Sequence, residues 1–408
     1  MPVIKSWQDK AAIEKIVNRC SVDEMVDETV SKVVKDVRLN GNRAVLKYTR
    51  KFDKVSLETS RLRVSRKEIK EAFRKMDKEL VQLIDSVRKN IVKFHKRELR
   101  KSWTSTKEGL TLGQSYQPLK RVGVYVPGGT APLLSSLLMT VVPARVAGVR
   151  DIVMTSPPGK EGDIHPYLLA AAHLLQVDEV YRIGGAQAVA ALALGTETIS
   201  PVDKVIGPGN RYVVSAMRQV FGRVGVGVLP GPSEVVILAD GGAKASFVIA
   251  DLKAQAEHEK GLAVLLTTSM KLAGKVAEEV KGSYIIVTKS KEEAVRIINR
   301  IAPEHLEIMV KNPRGVINKV TGSGTIFLGP YTPTAVGDYV AGPSHVLPTG
   351  GTARFSSGLS VDDFRRRSNV ISYNREQLKK VIKPVARLAE IEGMQAHADS
   401  VKIRISRR

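Results

Sequence analysis

Apolar positions along this chain change their period near residue 121. Before it they recur at the three-to-four-residue spacing of amphipathic helices, as in RKEIKEAFRKMDKEL, so the first hundred residues read as helical scaffold. Two helix starts carry a Ser–Glu pattern in which hydroxyl and carboxylate each satisfy the other's free backbone donor. They are Ser21-Val22-Asp23-Glu24 and Ser65-Arg66-Lys67-Glu68. Asn40-Gly41 predicts a turn between helical segments.

Beyond 121, short apolar runs bounded by Gly or Pro alternate with helical patterns. VGVYV, DIVMTS, EVYRIGG and KVIGPGN come first; VVILAD, AVLLTT, YIIVT and GTIFLG follow the GPSE segment. Such alternation is the mark of βαβ units and parallel sheets. It predicts an α/β protein with two Rossmann-like parallel-sheet domains, over 122–232 and 233–372. An N-terminal helical segment over 1–121 packs on that α/β core, and a small helical tail occupies 373–408.

A chain of 408 residues with 43% apolar content has enough material for two or three cores. A lone cysteine, Cys20, excludes an internal disulfide and suits a reducing compartment; the N-terminus has no apolar core of signal-peptide length. The most apolar stretch, 131–149, is interrupted by Pro132, Pro143 and Arg145, which predicts a buried core helix rather than a membrane span. The expectation is a cytoplasmic protein without membrane contact. Net charge is +23. Nucleic-acid binding is one reading of that excess, but Lys and Arg alternate with Asp and Glu along helices, as on a solvated or heat-adapted surface. The basic tail KIRISRR also lacks interleaved aromatics, so nucleic acid is not expected as the main partner.

Three Gly-rich turns stand where strands give way to helices: Tyr125-Val126-Pro127-Gly128-Gly129-Thr130, Gly184-Gly185-Ala186-Gln187 and Gly207-Pro208-Gly209-Asn210. Each could hold a nucleotide phosphate at a helix N-terminus. None is a GxGxxG fingerprint, and such turns also serve simply to reverse the chain.

Four of the seven histidines lie in polar motifs of the C-terminal half: His258 in QAEHE, His305 in APEHLE, His345 in GPSHVLP and His397 in QAHAD. Gln255 and His258, three apart in a helix-like run, would share one face. With Asp338 and His397 they make an all-nitrogen-and-oxygen donor set suited to zinc, manganese or cobalt. Glu304-His305 stands at a loop–strand junction where both side chains can reach one cleft. The histidine there suits removal of an alcohol proton and the carboxylate suits activation of water. His95, His165 and His173 receive no role. A metal hydrolase would fit these donors as well as a dehydrogenase.

The ordered motifs VGVYVPGG, GGAQAVAALALGTE, GPGN, GPSEVVILAD, QAEH, PEHLE, GDYVAGPSHVLPT, GLSVDDF and EGMQAH resemble those of histidinol dehydrogenases over the last two-thirds of the chain. The resemblance implies oxidation of L-histidinol through the aldehyde to L-histidine, the last steps of histidine biosynthesis, with NAD+ reduced twice. It implies one Zn2+ per subunit on Gln255, His258, Asp338 and His397, the last contributed across a homodimer by the C-terminal tail. It further implies catalysis by Glu304 and His305. Substrate contacts would come from Ser233, His345 and Glu392 together with Gln255, His258, His305, Asp338 and His397. Tyr125, Gln187 and Asn210 of the first α/β domain would hold NAD+ without the usual fingerprint. The chain departs from the family pattern at Gly227 and Pro230 in VGVGVLPGPSE, and at Glu259-Lys260 after QAEH.

Overall fold

The computed structural model describes residues 3–19, 24–128, 131–229, 231–258 and 261–405. The expected Ser21–Glu24 cap, Cys20, Gly129-Thr130, Pro230 and Glu259-Lys260 therefore lie wholly or partly outside the described residues. Strands run in chain order as β1 (Ile4–Lys5), β2 (Trp103–Lys107), β3 (Leu110–Pro118), β4 (Arg121–Tyr125), β5 (Asp151–Ser156), β6 (Glu179–Arg182) and β7 (Lys204–Ile206). They continue with β8 (Gly225–Val226), β9 (Glu234–Ala239), β10 (Leu262–Thr267), β11 (Tyr284–Val287), β12 (His305–Met309), β13 (Thr325–Leu328) and β14 (Arg365–Tyr373).

The first of two units takes in the chain up to Glu98 and Leu119–Phe364. It holds a parallel five-stranded sheet, β6-β5-β4-β7-β8, and a parallel six-stranded sheet, β1-β11-β10-β9-β12-β13. Their central strands are buried on both faces, which is why they read as continuous apolar runs and not as alternations. In the first sheet Val122, Val124, Ile152 and Met154 face one core while Tyr125, Val153 and Val205 face another. In the second, Val236, Leu238, Val264 and Leu266 oppose Val235, Ile237 and Leu265. Two parallel sheets with helices on both faces are the α/β architecture read from the sequence.

The N-terminal helices close these cores. Helix Glu24–Tyr48 lays Val26, Val30, Val33, Val37, Val45 and Tyr48 on the five-stranded sheet's second core. The expected turn at Asn40-Gly41 is a kink inside that helix, at Gly41. The cap at Ser65 forms as read: its hydroxyl accepts from Glu68 N at 3.2 Å, and Glu68 accepts from Ser65 N at 2.8 Å. Helix Leu134–Ala147 is buried on nearly every side, as its uniformly apolar run requires. Among the described residues no helix is long and apolar enough to cross a membrane.

The second unit joins Leu99–Pro118 to the chain from Arg365 on. Residues 103–118, grouped in the sequence with the helical segment, form the hairpin β2–β3. β14 pairs antiparallel with β3 from Arg365 opposite Pro118 to Tyr373 opposite Leu110. That partner is some 250 positions away, beyond the reach of local pattern. Helices Arg375–Ile391 and Gln395–Lys402 follow and pack through Ala386, Ala389 and Ala398, giving the expected helical tail.

Candidate active site

β9 and β12 are hydrogen-bonded neighbours, and the chemistry gathers at their amino ends. His305 opens β12, with Glu304 in the loop just before it, and Ser233-Glu234 lead into β9. Glu304 and His305 are both buried, so the loop–strand junction turns both side chains inward as expected. His305 Nδ1 lies 2.9 Å from the Glu234 main-chain oxygen. A carbonyl only accepts, so Nδ1 carries a hydrogen, and when the ring is neutral its lone pair sits on Nε2. That Nε2 is buried without a hydrogen-bond partner and stands 3.5 Å from Asp338 Oδ1.

Asp338 is brought there by the short helix Thr334–Tyr339, which lies against Phe327 of β13. Gly337 permits the approach, since a Cβ there would meet the Phe327 ring at 2.6 Å. His345 Nδ1 donates to the Asp338 main-chain oxygen at 3.0 Å. His305, Phe327, Gly337, Asp338, Ser344 and His345 line one cavity.

Burial and neighbouring charge set the proton affinities. Burial pushes Glu304 up to about 7, and the His305 charge only partly offsets it. For His305 burial opposes the charge, but the Glu304 and Asp338 carboxylates outweigh it and raise the ring to about 9. His345 moves the other way, lowered chiefly by burial. A buried carboxyl raised toward neutrality beside a histidine can exchange a proton with it. Glu304 Oε2 also accepts from Glu234 N at 2.8 Å. Glu234 in turn is gripped by Arg19 through paired 2.6 Å contacts and accepts from Gly350 N at 2.9 Å. The role of Glu234 was not legible in GPSE, because its partners come from remote loops.

Gln255 is buried at the end of helix Ala245–Ala256, with Ser233 Oγ 3.5 Å from its amide oxygen. The helix ends at Ala256, and His258 follows in an exposed turn, its N–H donating to Gln255 O at 3.2 Å. Its charge still acts on His345. Among the described residues no three His, Cys, Asp or Glu form a metal cage. In the expected donor set only His258 and Asp338 are such residues of the first unit. Glu392 and His397 belong to the second, both exposed, Glu392 capping helix Arg375–Ile391 and His397 on Gln395–Lys402. The donors nevertheless suit a borderline divalent ion. Gln255 Nε2 is buried without a partner, and since amide nitrogen and oxygen exchange by a half-turn, the same site can present an unpaired oxygen.

The nucleotide candidates cluster at the carboxyl edge of the five-stranded sheet. The chain passes from β4 outward to β5 and β6, then returns to β7 on the other side of β4. The strand order therefore reverses between β4 and β7, the position at which open α/β sheets bind ligands. Tyr125 closes β4, and Asn210 caps helix Arg211–Val220 after β7, accepting from Tyr212 N and Val213 N. Gly207 makes the crossing close, since a Cβ there would lie 2.0 Å from Tyr125 O. Tyr125 and Gln187 are buried; the Tyr125 hydroxyl accepts from Gly185 N at 3.3 Å, and Gln187 Nε2 donates to Asp53 Oδ2 at 3.3 Å. Burial raises Asp53 to about 6. Asp53 was missed in the sequence because nothing in KFDK marks a carboxylate that folds back onto a distant glutamine.

Residues 18–405 match the family model described as histidinol dehydrogenase. A relative named histidinol dehydrogenase from Geobacillus kaustophilus is 48% identical over 398 residues, covering 93% of each chain. Another of that name from Bacillus subtilis is 44% identical over 414 residues, covering 96% of each. The crystal structure of histidinol dehydrogenase from Elizabethkingia anophelis superposes with a TM-score of 0.91 at 34% identity, covering 97% of this chain and 96% of that one.

Proposed function

The chain belongs to the histidinol dehydrogenase family of oxidoreductases in histidine biosynthesis, and from that premise we propose a zinc-dependent, NAD+-linked oxidation of L-histidinol through L-histidinal to L-histidine. One observation carries the reading: a buried His305 with Nδ1 committed to Glu234 O and Nε2 3.5 Å from Asp338 Oδ1, in a cavity shared with Asp338 and His345.

Gln255, His258 and Asp338 would hold the zinc, with His397 supplied by a second subunit. When bound, zinc fixes the substrate and favours loss of its hydroxyl proton, while NAD+ takes up hydride. His305 Nε2 receives the hydroxyl proton. Were Asp338 to hold the cation, it would stabilise that proton on the ring less, easing its release from His305. Glu304, poised by burial near neutrality, takes a proton from the water that adds to the aldehyde. His305 then removes the hydrate's proton in the second oxidation. Ser233, His345 and Glu392 orient the substrate; Tyr125, Gln187 and Asn210 hold the dinucleotide. Ile371, Leu388, Ile391 and Ile403, exposed on the second unit, support a homodimer formed through it. Keeping both oxidations in one place retains the reactive aldehyde.

The test follows NADH release from purified protein and L-histidinol, with and without chelator. Two NADH per histidinol, lost with the metal and restored by zinc, is the expected result. Metal-dependent turnover without NAD+ would favour a hydrolase instead.

A further inference from the structure

Behind the cavity lies a second acidic cluster that the reaction does not use. Glu307 stands two residues after His305 on the same face of β12 and is 1% exposed. Its Oε1 accepts from Thr334 N at 2.8 Å and Thr334 Oγ1 at 2.7 Å, at the start of the helix that carries Asp338 one turn on. Its Oε2 is buried and receives no donor from any amide, hydroxyl or cation. The side chain in hydrogen-bonding contact with Glu307 is the carboxyl of Asp251, one turn before Gln255 on helix Ala245–Ala256.

Two carboxylates in contact, the Glu307 one buried and the Asp251 one half-buried beside Val248, Ile249 and Leu252, disfavour double ionisation, because no cation among the described residues offsets their repulsion. A single proton between them removes the repulsion and supplies the missing donor to Glu307 Oε2. Asp251 is the acid of the pair, since Glu307 already accepts two hydrogen bonds at its other oxygen. Burial first, then the charge of Glu307, push Asp251 up to about 7. The other titratable groups on the surrounding elements have their own engagements. His305 and Glu304 face the cavity, and Asp338 faces His305. Lys253 pairs with Glu279 at 3.4 Å, Lys244 stands over the Phe247 ring, and Asp240 is held by Lys291 at 2.8 Å.

We infer that Asp251 and Glu307 form a proton-sharing carboxyl pair that positions, as one unit, the three elements bearing Gln255, His305 and Asp338. Both are positioning residues, and their importance to turnover rests on the histidinol reading above. The pair itself does not, and it can be read in the metal-free protein without substrate.

The parent-minus-Asp251→Asn infrared difference, in which the Glu304 and Asp53 carboxyls cancel, should show the carbonyl stretch of one buried protonated acid, shifted in D2O and titrating away with a midpoint of about 7. In Asp251→Asn the side-chain amide still donates to Glu307 Oε2. Exchange of the Val340 and Ala341 amides, which close the Asp338 helix onto Val336 O, should then stay within about twofold of the parent. Asp251→Ala, which offers no donor, should speed that exchange about tenfold or more. A parent-minus-Asp251→Asn difference without an acid band overturns the inference. Equal exchange in the Asn and Ala variants overturns it too. If Asp251→Ala does not fold, the parent's band and its loss in Asp251→Asn still decide. A pair that behaves as described in a chain that fails to oxidise histidinol would sink the functional reading alone.

Discussion

The His305 ring is oriented by a main-chain oxygen: its Nδ1 donates to Glu234 O at 2.9 Å, in a ring that lines the cavity with Asp338 and His345. The Glu234 backbone is a dependable acceptor because its side chain is clamped by Arg19 and its N–H is bonded to Glu304. Base, orienting carbonyl and neighbouring acid thus belong to one hydrogen-bonded unit spanning β9 and β12.

His305→Asn keeps a donor toward Glu234 O but has no basic nitrogen. Turnover from histidinol and from histidinal should each fall by about a hundredfold to ten-thousandfold, the range for a lost general base. Bound zinc, measured by atomic emission, should not change. Near-parental turnover would remove His305 from the base role.

Glu304→Gln retains shape and burial without proton affinity. In single-turnover assays the aldehyde step should slow by about a hundredfold, and the alcohol step by less than about tenfold. Equal losses would show that Glu304 is not the group activating water.

His258 stands in an exposed turn beyond the helix that presents Gln255, so its truncation should leave the fold intact. His258→Ala should lower zinc content well below stoichiometric while the melting temperature of the metal-free protein stays within about 2 °C of the parent. Full zinc retention would mean that the ligand set is drawn from elsewhere.

Asp53 offers a pH test away from the metal donors. Burial raises its folded pKa to about 6, so the folded state binds its proton more tightly than the unfolded chain does. The resulting stabilisation is fully present below the unfolded value near 3.8 and is lost as pH rises through about 6. Asp53→Asn lacks this loss. The variant's unfolding free energy from denaturant titration, relative to the parent, should therefore climb between about pH 4 and pH 7, by an amount on the order of 1–2 kcal/mol. A flat difference would show that the Asp53 carboxyl is not held above its usual range.

Much of the architecture was legible because it is written in local period. Strands buried on both faces read as unbroken apolar runs between glycines, and Ser65 with Glu68 read as a cap because both partners lie within one turn. Apolar positions three and four apart placed the N-terminal helices for the same reason. APEHLE announced its chemistry because Glu304 and His305 are neighbours whichever way the chain folds.

Where partners are remote, the amino-acid order is silent. β3 needed β14, some 250 residues on, before residues 103–118 became strands. The sequence also did not show that the helix of Gln255 ends at Ala256, leaving His258 in an exposed turn. Glu234, Asp53, Asp251 and Glu307 look like ordinary surface acids until Arg19, Gln187 and Thr334 are brought against them. A side chain's identity sets which protons and hydrogen bonds it can exchange, and the chain alone determined that repertoire. Burial and proximity set how strongly each is held, and those arise only when β9, β12 and the Asp338 helix pack together.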